Sequence, residues 1–240
     1  MGDPHGAYKA MIQCFRRSGF DDKKDRLICI GDVADGWPEV PKCIEKLLKI
    51  KDLYYTTGNH DGWMHEWLNW GFRPKIWTSQ GGLATIEAYN KEPKLREKHR
   101  QFFQGKQYYY EIDKNLYVHG GFDASREIHK TSNYDMSWDR DLWYGVNAIE
   151  REVKMLGLSD LEKHNLIRDR YIELNMYDKV FIGHTSCYDI DGGKPVKACN
   201  VWNVDTGAGW EGVLTLMDVE TEEYFQSDVV ETLYPDHHGR

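Results

Sequence analysis

Six residues of this chain are of types that hold metal: Asp3, His5, Asp32, Asn59, His119 and His184. They stand in five short glycine-bearing segments: GDPHG (2–6), GDVAD (31–35), GNHD (58–61), HGG (119–121) and GHT (183–185). Carboxylate, amide and imidazole donors together suit two hard-to-borderline divalent cations. Asp3 and His5 alternate in one extended loop and can meet a single cation. Asp32 is the natural bridge, because a carboxylate can bind two cations, and Asn59, His119 and His184 would complete the second site. Such a pair activates a shared water for in-line attack on phosphorus. Read singly, any of these segments is also an ordinary turn or helix cap; the order of all five carries the signal.

His60 follows Asn59 directly and has the chemistry of a general acid for a leaving oxygen, with Asp35 fixing its tautomer through the other ring nitrogen. Charge on a transferring phosphoryl group also calls for an arginine, whose planar fork suits it. Arg140 in SWDRDLW is the first choice and Arg126 the second. The remaining histidines, His65, His99, His129, His164, His237 and His238, read as surface or core residues.

The elements that must position these groups follow from periodicity. Tyr8, Met11, Ile12 and Phe15 predict an amphipathic helix after GDPHG, and Val40, Cys43, Ile44, Leu47 and Leu48 predict a second one after Pro38. Leu27–Ile30 and Leu53–Thr56 read as buried strands ending at GDVAD and GNHD, so strand, loop and helix alternate as in a parallel sheet. Ligands collect at the carboxyl ends of such strands. Met1 leaves no room for a strand before Asp3, so either that strand is lost or the natural chain is longer. Trp63, Trp67 and Trp70 with Leu68 predict a helix after GNHD; 108–112 and 116–118 read as two strands joined by a turn, the second ending at HGG. Residues 146–177 read as helical, helped by a capping box from Ser159 to Glu162, and 179–182 as the strand that delivers GHT. Val201–Val204 and Val213–Val219 predict late antiparallel strands. The sum is a layered α/β sandwich with its polar loops on one edge.

With 240 residues and no Pro- or Ser-rich linker, the chain reads as one domain, 1–240. No apolar run is long enough to span a bilayer. The five cysteines form no CxxC pair and suit a reducing cytoplasm, Cys187 being a thiol near His184 rather than a ligand. A net charge of -8 excludes a stable nucleic acid partner held through its backbone, though two cations would reverse the local field for a phosphate substrate.

The five segments resemble the successive motifs of the calcineurin-like metallophosphoesterases, and within them the phosphoprotein phosphatase branch of bacterial and phage Ser/Thr phosphatases and symmetrical diadenosine tetraphosphatases. WTSQGGLATIEAY, YYEIDKNLYVHGG, SWDR and NVDTGAGWEGVLTL extend the similarity over nearly the whole chain. The resemblance implies a four-layer αββα sandwich, a dinuclear site holding manganese, with iron or zinc as alternatives, and phosphoester hydrolysis. It assigns the acid and orienting roles to His60 and Asp35, and phosphate binding to Arg140. Three positions depart from the family pattern. Gly36 stands where an arginine is usual, Pro4 replaces an aliphatic residue, and GNHD replaces GNHE. The leading expectation is a phosphomonoesterase acting on phosphoserine or phosphothreonine. The alternatives are a nucleotide phosphohydrolase, splitting a dinucleoside polyphosphate or cyclic nucleotide, and a non-catalytic scaffold.

Overall fold

Alternation of side chains along the strands decides how the layers stack. The computed structural model describes residues 1–240, with nine strands: β1 (Arg26–Cys29), β2 (Asp52–Tyr55), β3 (Tyr109–Ile112), β4 (Asn115–Val118), β5 (Lys179–Ile182), β6 (Val196–Ala198), β7 (Val201–Asn203), β8 (Thr215–Met217) and β9 (Tyr224–Gln226). The helices are α1 (Tyr8–Ser18), α2 (Val40–Leu47), α3 (Asn59–Trp70), α4 (Lys75–Trp77), α5 (Leu83–Lys91), α6 (Leu95–Gln104), α7 (Asn133–Trp138), α8 (Asp141–Leu156), α9 (Asp160–Arg170) and α10 (Val230–Leu233).

In β1, Leu27 and Cys29 face a core shared with Met11, Phe15, Ile44 and Leu47 of α1 and α2, while Ile28 turns to the other side with Ile30. In β4 and β5, Leu116, Val118, Val180 and Ile182 face Leu142, Trp143 and Val146 of α8, while Tyr117 and Phe181 point the opposite way. Those opposite faces meet: Ile30, Tyr117, Phe181, Val204 and Met217 fill the space between the sheets. The result is helix, sheet, sheet, helix, the four-layer arrangement expected.

One sheet has the order β3-β4-β5-β7-β6, with β4, β5 and β7 mutually parallel. The other layer consists of the parallel pair β1–β2 and the antiparallel pair β8–β9. Met1 and Gly2 lie between those pairs. The Met1 amino group donates to Ile28 O at 2.8 Å, Ile30 N–H donates to Met1 O at 3.0 Å, and Gly2 N–H donates to Thr215 O at 3.0 Å. These bonds to strands on both sides set the backbone that leads directly into Asp3. A cavity of about 640 Å³, lined in part by Met1, Ile28, Tyr117 and Met217, opens beside them at the edge where β1 and β4 begin.

Several expectations need correction. Val201–Asn203 runs parallel to β5 and antiparallel only to β6, because a tight turn at Cys199 and Asn200 reverses the chain just before it. The helical stretch begins at Asp141 and breaks at Gly157, whose φ of 64° ends α8, before the Ser159–Glu162 capping box starts α9. Trp70 is 72% exposed at the end of α3, so of the three tryptophans only Trp67 is wholly buried.

Tyr117 and Phe181 stack at 5.2 Å with an interplanar angle of 9° at the centre of the interlayer. Phe181→Ala should lower the unfolding free energy by about 3–5 kcal/mol, read from urea midpoints at constant m-value.

Candidate active site

Strand direction brings the site together. Asp32 follows β1, Asn59 follows β2, His119 follows β4 and His184 follows β5, and each strand ends at the same edge of its layer. All six metal-type residues are buried, none more than 5% exposed, so bulk water does not satisfy their polar atoms.

The atoms fall into two groups, Asp3–His5–Asp32 and Asp32–His119–His184, each with its donor atoms within 4.8 Å of one another. Asp32 belongs to both. His5 donates Nδ1–H to Ala34 O at 3.0 Å, which turns a bare Nε2 toward Asp32 Oδ2, 3.8 Å away. His119 donates Nδ1–H to Ile30 O at 2.7 Å, which leaves Nε2 facing Asp32 Oδ2 and Asn59 Oδ1, each at 3.2 Å. Backbone carbonyls thus fix both tautomers from behind, as metal-bound imidazoles require. Asp3 Oδ1, His5 Nε2, Asp32 Oδ2 and both His184 nitrogens have no hydrogen-bond partner. Buried polar atoms crowded together without hydrogen-bond partners are costly, and cations between them relieve the cost. The donor set suits two divalent cations.

Close packing shapes the loops that carry these groups. His5, Asp32, Asp35 and His184 all adopt positive φ, between 42° and 70°, the strained conformation typical of functional loops. A Cβ on Gly58 would collide with the Asp32 carboxylate, and one on Gly183 would collide with that of Asp3. These two glycines are there for close approach, not simply for turning.

His60 and Asp35 meet as expected: His60 Nδ1–H donates to Asp35 Oδ2 at 2.7 Å, both side chains being wholly buried. Trp77 Nε1–H also donates to Asp35 Oδ2, and Thr85 Oγ1–H donates to Oδ1, both at 2.7 Å. Burial raises the Asp35 carboxyl against the pull of these three donors. Arg140 is half-buried and donates Nη1–H to His184 O at 3.1 Å and to Thr185 Oγ1 at 3.0 Å. Arg126 does not reach the site; it pairs with Asp123 at 2.8 Å on the surface. Cys187 is buried and bonds Asp205 O, with its thiol pushed up to about 12 by burial, which fits a non-ligand.

Sequence reasoning missed several supporting groups. Asp61 accepts from the N–H groups of Asp32 at 2.8 Å, Val33 at 3.0 Å and Gly58 at 2.9 Å, clamping two of the site loops together. Its position in GNHD was visible, but not that its carboxylate turns back onto GDVAD. Trp77 and Thr85 lie within WTSQGGLATIEAY, and Asp205, buried beside Asp3, lies within NVDTGAGW. Arg240 was unforeseeable from any motif: its Nη1 donates to His60 Nε2 at 2.5 Å.

Burial disfavours charge on His119, but the carboxylates of Asp32 and Asp3 outweigh it and raise the imidazole to about 10. Burial, with His119 and Arg140 nearby, drives His184 down to about 2. Because the folded value for His119 lies above its ordinary 6.5, its protonation stabilises the metal-free fold fully below that value, and the contribution is lost as pH rises through about 10. Urea midpoints of metal-free protein should therefore fall across roughly pH 7 to 10. Calorimetric titration with Mn²⁺ in buffers of different ionisation heat should register release of about one proton or more per chain near neutral pH.

The family model for calcineurin-like phosphoesterases matches residues 1–188. Over 62 residues the chain is 36% identical to a symmetrical bis(5'-nucleosyl)-tetraphosphatase of Buchnera aphidicola subsp. Acyrthosiphon pisum, a stretch covering 25% of this chain and 23% of that protein. The match thus spans less than a quarter of the relative's length. Among solved structures, a candidate diadenosine tetraphosphatase superposes with a TM-score of 0.61 at 14% identity, over 94% of this chain and 90% of that one. A protein serine/threonine phosphatase from Saccharomyces cerevisiae gives 0.59 at 16% identity, over 99% and 81%. At such identities the superpositions speak for the fold, whereas the family match covers most of the sequence and all six metal-type residues. This chain belongs to the calcineurin-like phosphoesterases, a family of phosphoric ester hydrolases that use a dinuclear divalent metal site.

Proposed function

We propose that this chain hydrolyses phosphoric monoesters at a two-metal site, with residues 1–240 acting as one catalytic unit in the reducing cytoplasm. The observation that carries the reading is the buried, unpartnered Asp32 Oδ2 shared by two groups of metal-type donors. Asp3, His5 and Asp32 would hold one cation, and Asp32, Asn59, His119 and His184 the other, with manganese favoured over iron or zinc. Bound, the cations would supply an activated water and neutralise charge on the phosphoryl oxygens.

The other steps fall to side chains. Asp35 fixes the His60 ring by accepting Nδ1–H, so Nε2 is the atom that carries the proton for the leaving oxygen. Trp77 and Thr85 hold Asp35 in place from behind. Arg140 is anchored through Nη1 next to His184, which leaves the rest of its fork to bind phosphoryl oxygens. The intact donor set speaks against the scaffold reading.

The substrate class has two readings. The Ser/Thr phosphatase reading follows the branch resemblance. The nucleotide reading has a specific structural argument: Trp63 lies edge-on to His60 at 5.0 Å, Trp138 lies 5.3 Å from Trp63 and 5.8 Å from His184, and Tyr134, 68% exposed, stacks on Trp138. An aromatic wall rising from the reacting centre offers a face for a nucleobase. The tetraphosphatase name of the Buchnera relative points the same way.

Manganese-loaded protein should hydrolyse an aryl phosphate, and His60→Ala should lower kcat by roughly 10²- to 10⁴-fold with metal content unchanged. Asp32→Ala should lose both metal and activity. Equal rates for His60→Ala and wild type would remove the general-acid role. Product analysis with a phosphothreonine peptide and with diadenosine tetraphosphate separates the two substrate readings, and turnover of neither these nor the aryl phosphate would sink the hydrolase.

A further inference from the structure

Arg240 belongs to no motif and lies 180 positions from His60 in sequence, yet its guanidinium enters the site. Its backbone N–H donates to Gly209 O at 2.8 Å, and its guanidinium lies 5.1 Å from the centre of the Trp210 ring. Nη1 donates to the Nε2 lone pair of His60, the lone pair that remains when Nδ1–H is committed to Asp35. Nε is buried and has no partner. No carboxylate lies within the 4.0 Å of an ion pair. An arginine half-buried at the edge of the site, in no ion pair and with donors unspent, is set up to receive an anion, although the buried Asp205 feels its charge.

The surroundings are built to admit it. A Cβ on Gly81 would come within 2.8 Å of Arg240 Cβ, one on Gly209 within 3.0 Å of Arg240 Nε, and one on Gly36 within 3.6 Å of its backbone nitrogen. A side chain at Gly81 or Gly209 would crowd this residue, whereas one at Gly36 would meet it only at ordinary contact distance. Gly36, three residues beyond Val33 in the loop of Asp32, offers no side chain of its own to the substrate, and the Arg240 segment packs against it. Arg140 approaches from the other side, through His184 O and Thr185. The two arginines flank the paired donor groups, one beside His60 and His5, the other beside His184.

We infer that Arg240 is a substrate-binding residue, whose guanidinium contacts the phosphoryl oxygens of the substrate opposite Arg140. This rests on the two-metal phosphoesterase reading. In the ligand-free arrangement Nη1 is parked on His60; with an anion present the fork turns onto the phosphoryl oxygens, and Nε2 is freed to take up a proton from water and carry it to the leaving oxygen. Arg240 therefore contributes to affinity for the phosphoryl group, whatever alcohol or nucleotide is attached to it.

The experiment compares wild type, Arg240→Ala and Arg240→Lys, all manganese-loaded, by calorimetric binding of inorganic phosphate and by aryl phosphate kinetics. In Arg240→Ala the phosphate Kd and the KM should both rise on the order of tenfold or more, with metal content and thermal midpoint unchanged. Arg240→Lys, which keeps the charge and loses the fork, should fall between. Added guanidinium ion should restore phosphate binding to Arg240→Ala and leave wild type unaffected. A phosphate Kd within twofold of wild type in Arg240→Ala overturns the inference, as does loss of binding that tracks loss of metal in both variants. Wild type that binds phosphate and turns over no ester would refute the hydrolase reading while leaving the Arg240 comparison intact.

Discussion

A single carboxylate oxygen, Asp32 Oδ2, faces imidazole nitrogens from both sides, His5 Nε2 at 3.8 Å and His119 Nε2 at 3.2 Å. Every neighbouring feature holds it in that position. Asp32 adopts a φ of 46°, its own N–H is tied to Asp61, and its second oxygen accepts the backbone N–H of His60 at 2.9 Å. With one oxygen saturated and the other kept bare, the carboxylate is aimed. The strain and desolvation in this arrangement are sustained by the two large cores on which the loops rest.

The layered fold serves that convergence. Parallel strands bring their carboxyl ends to one edge, so four of the six metal-type residues reach the site simply by following a strand. The tyrosine and phenylalanine between the sheets set the separation of the two edges. Small residues at 58 and 183 then let one loop pass within contact distance of a carboxylate from another. A second tier, from Asp61, Trp77, Thr85 and the carbonyls of Ile30 and Ala34, fixes orientation without touching the reacting centre.

Much of this is legible in the sequence. The periodicity of 8–15 and 40–48, the strands before GDVAD and GNHD, and the pairing of His60 with Asp35 all follow from local pattern and donor chemistry. What was hidden depends on distance along the chain. Met1 and Gly2 are held between β1 and β8, which are far apart in sequence and both bond to them. The direction of β7 depends on a turn at Cys199 that no strong turn signal announces. Arg240 lies outside every recognisable segment, and only the folded chain sets it beside His60. Local chemistry is written in short spacings, whereas long-range geometry emerges from packing.

The backbone N–H of His184 donates to the Asp3 carboxylate at 2.8 Å across 181 positions of sequence. Cations held there would join the two layers much as a crosslink does, closing very long loops whose entropy is already spent in the native state. Neither layer could then separate without opening the site, so bound cations would add to whatever stability the metal-free fold already has. The concentration of free metal in its surroundings would then tune how firmly the two layers are held together as well as whether the chain works.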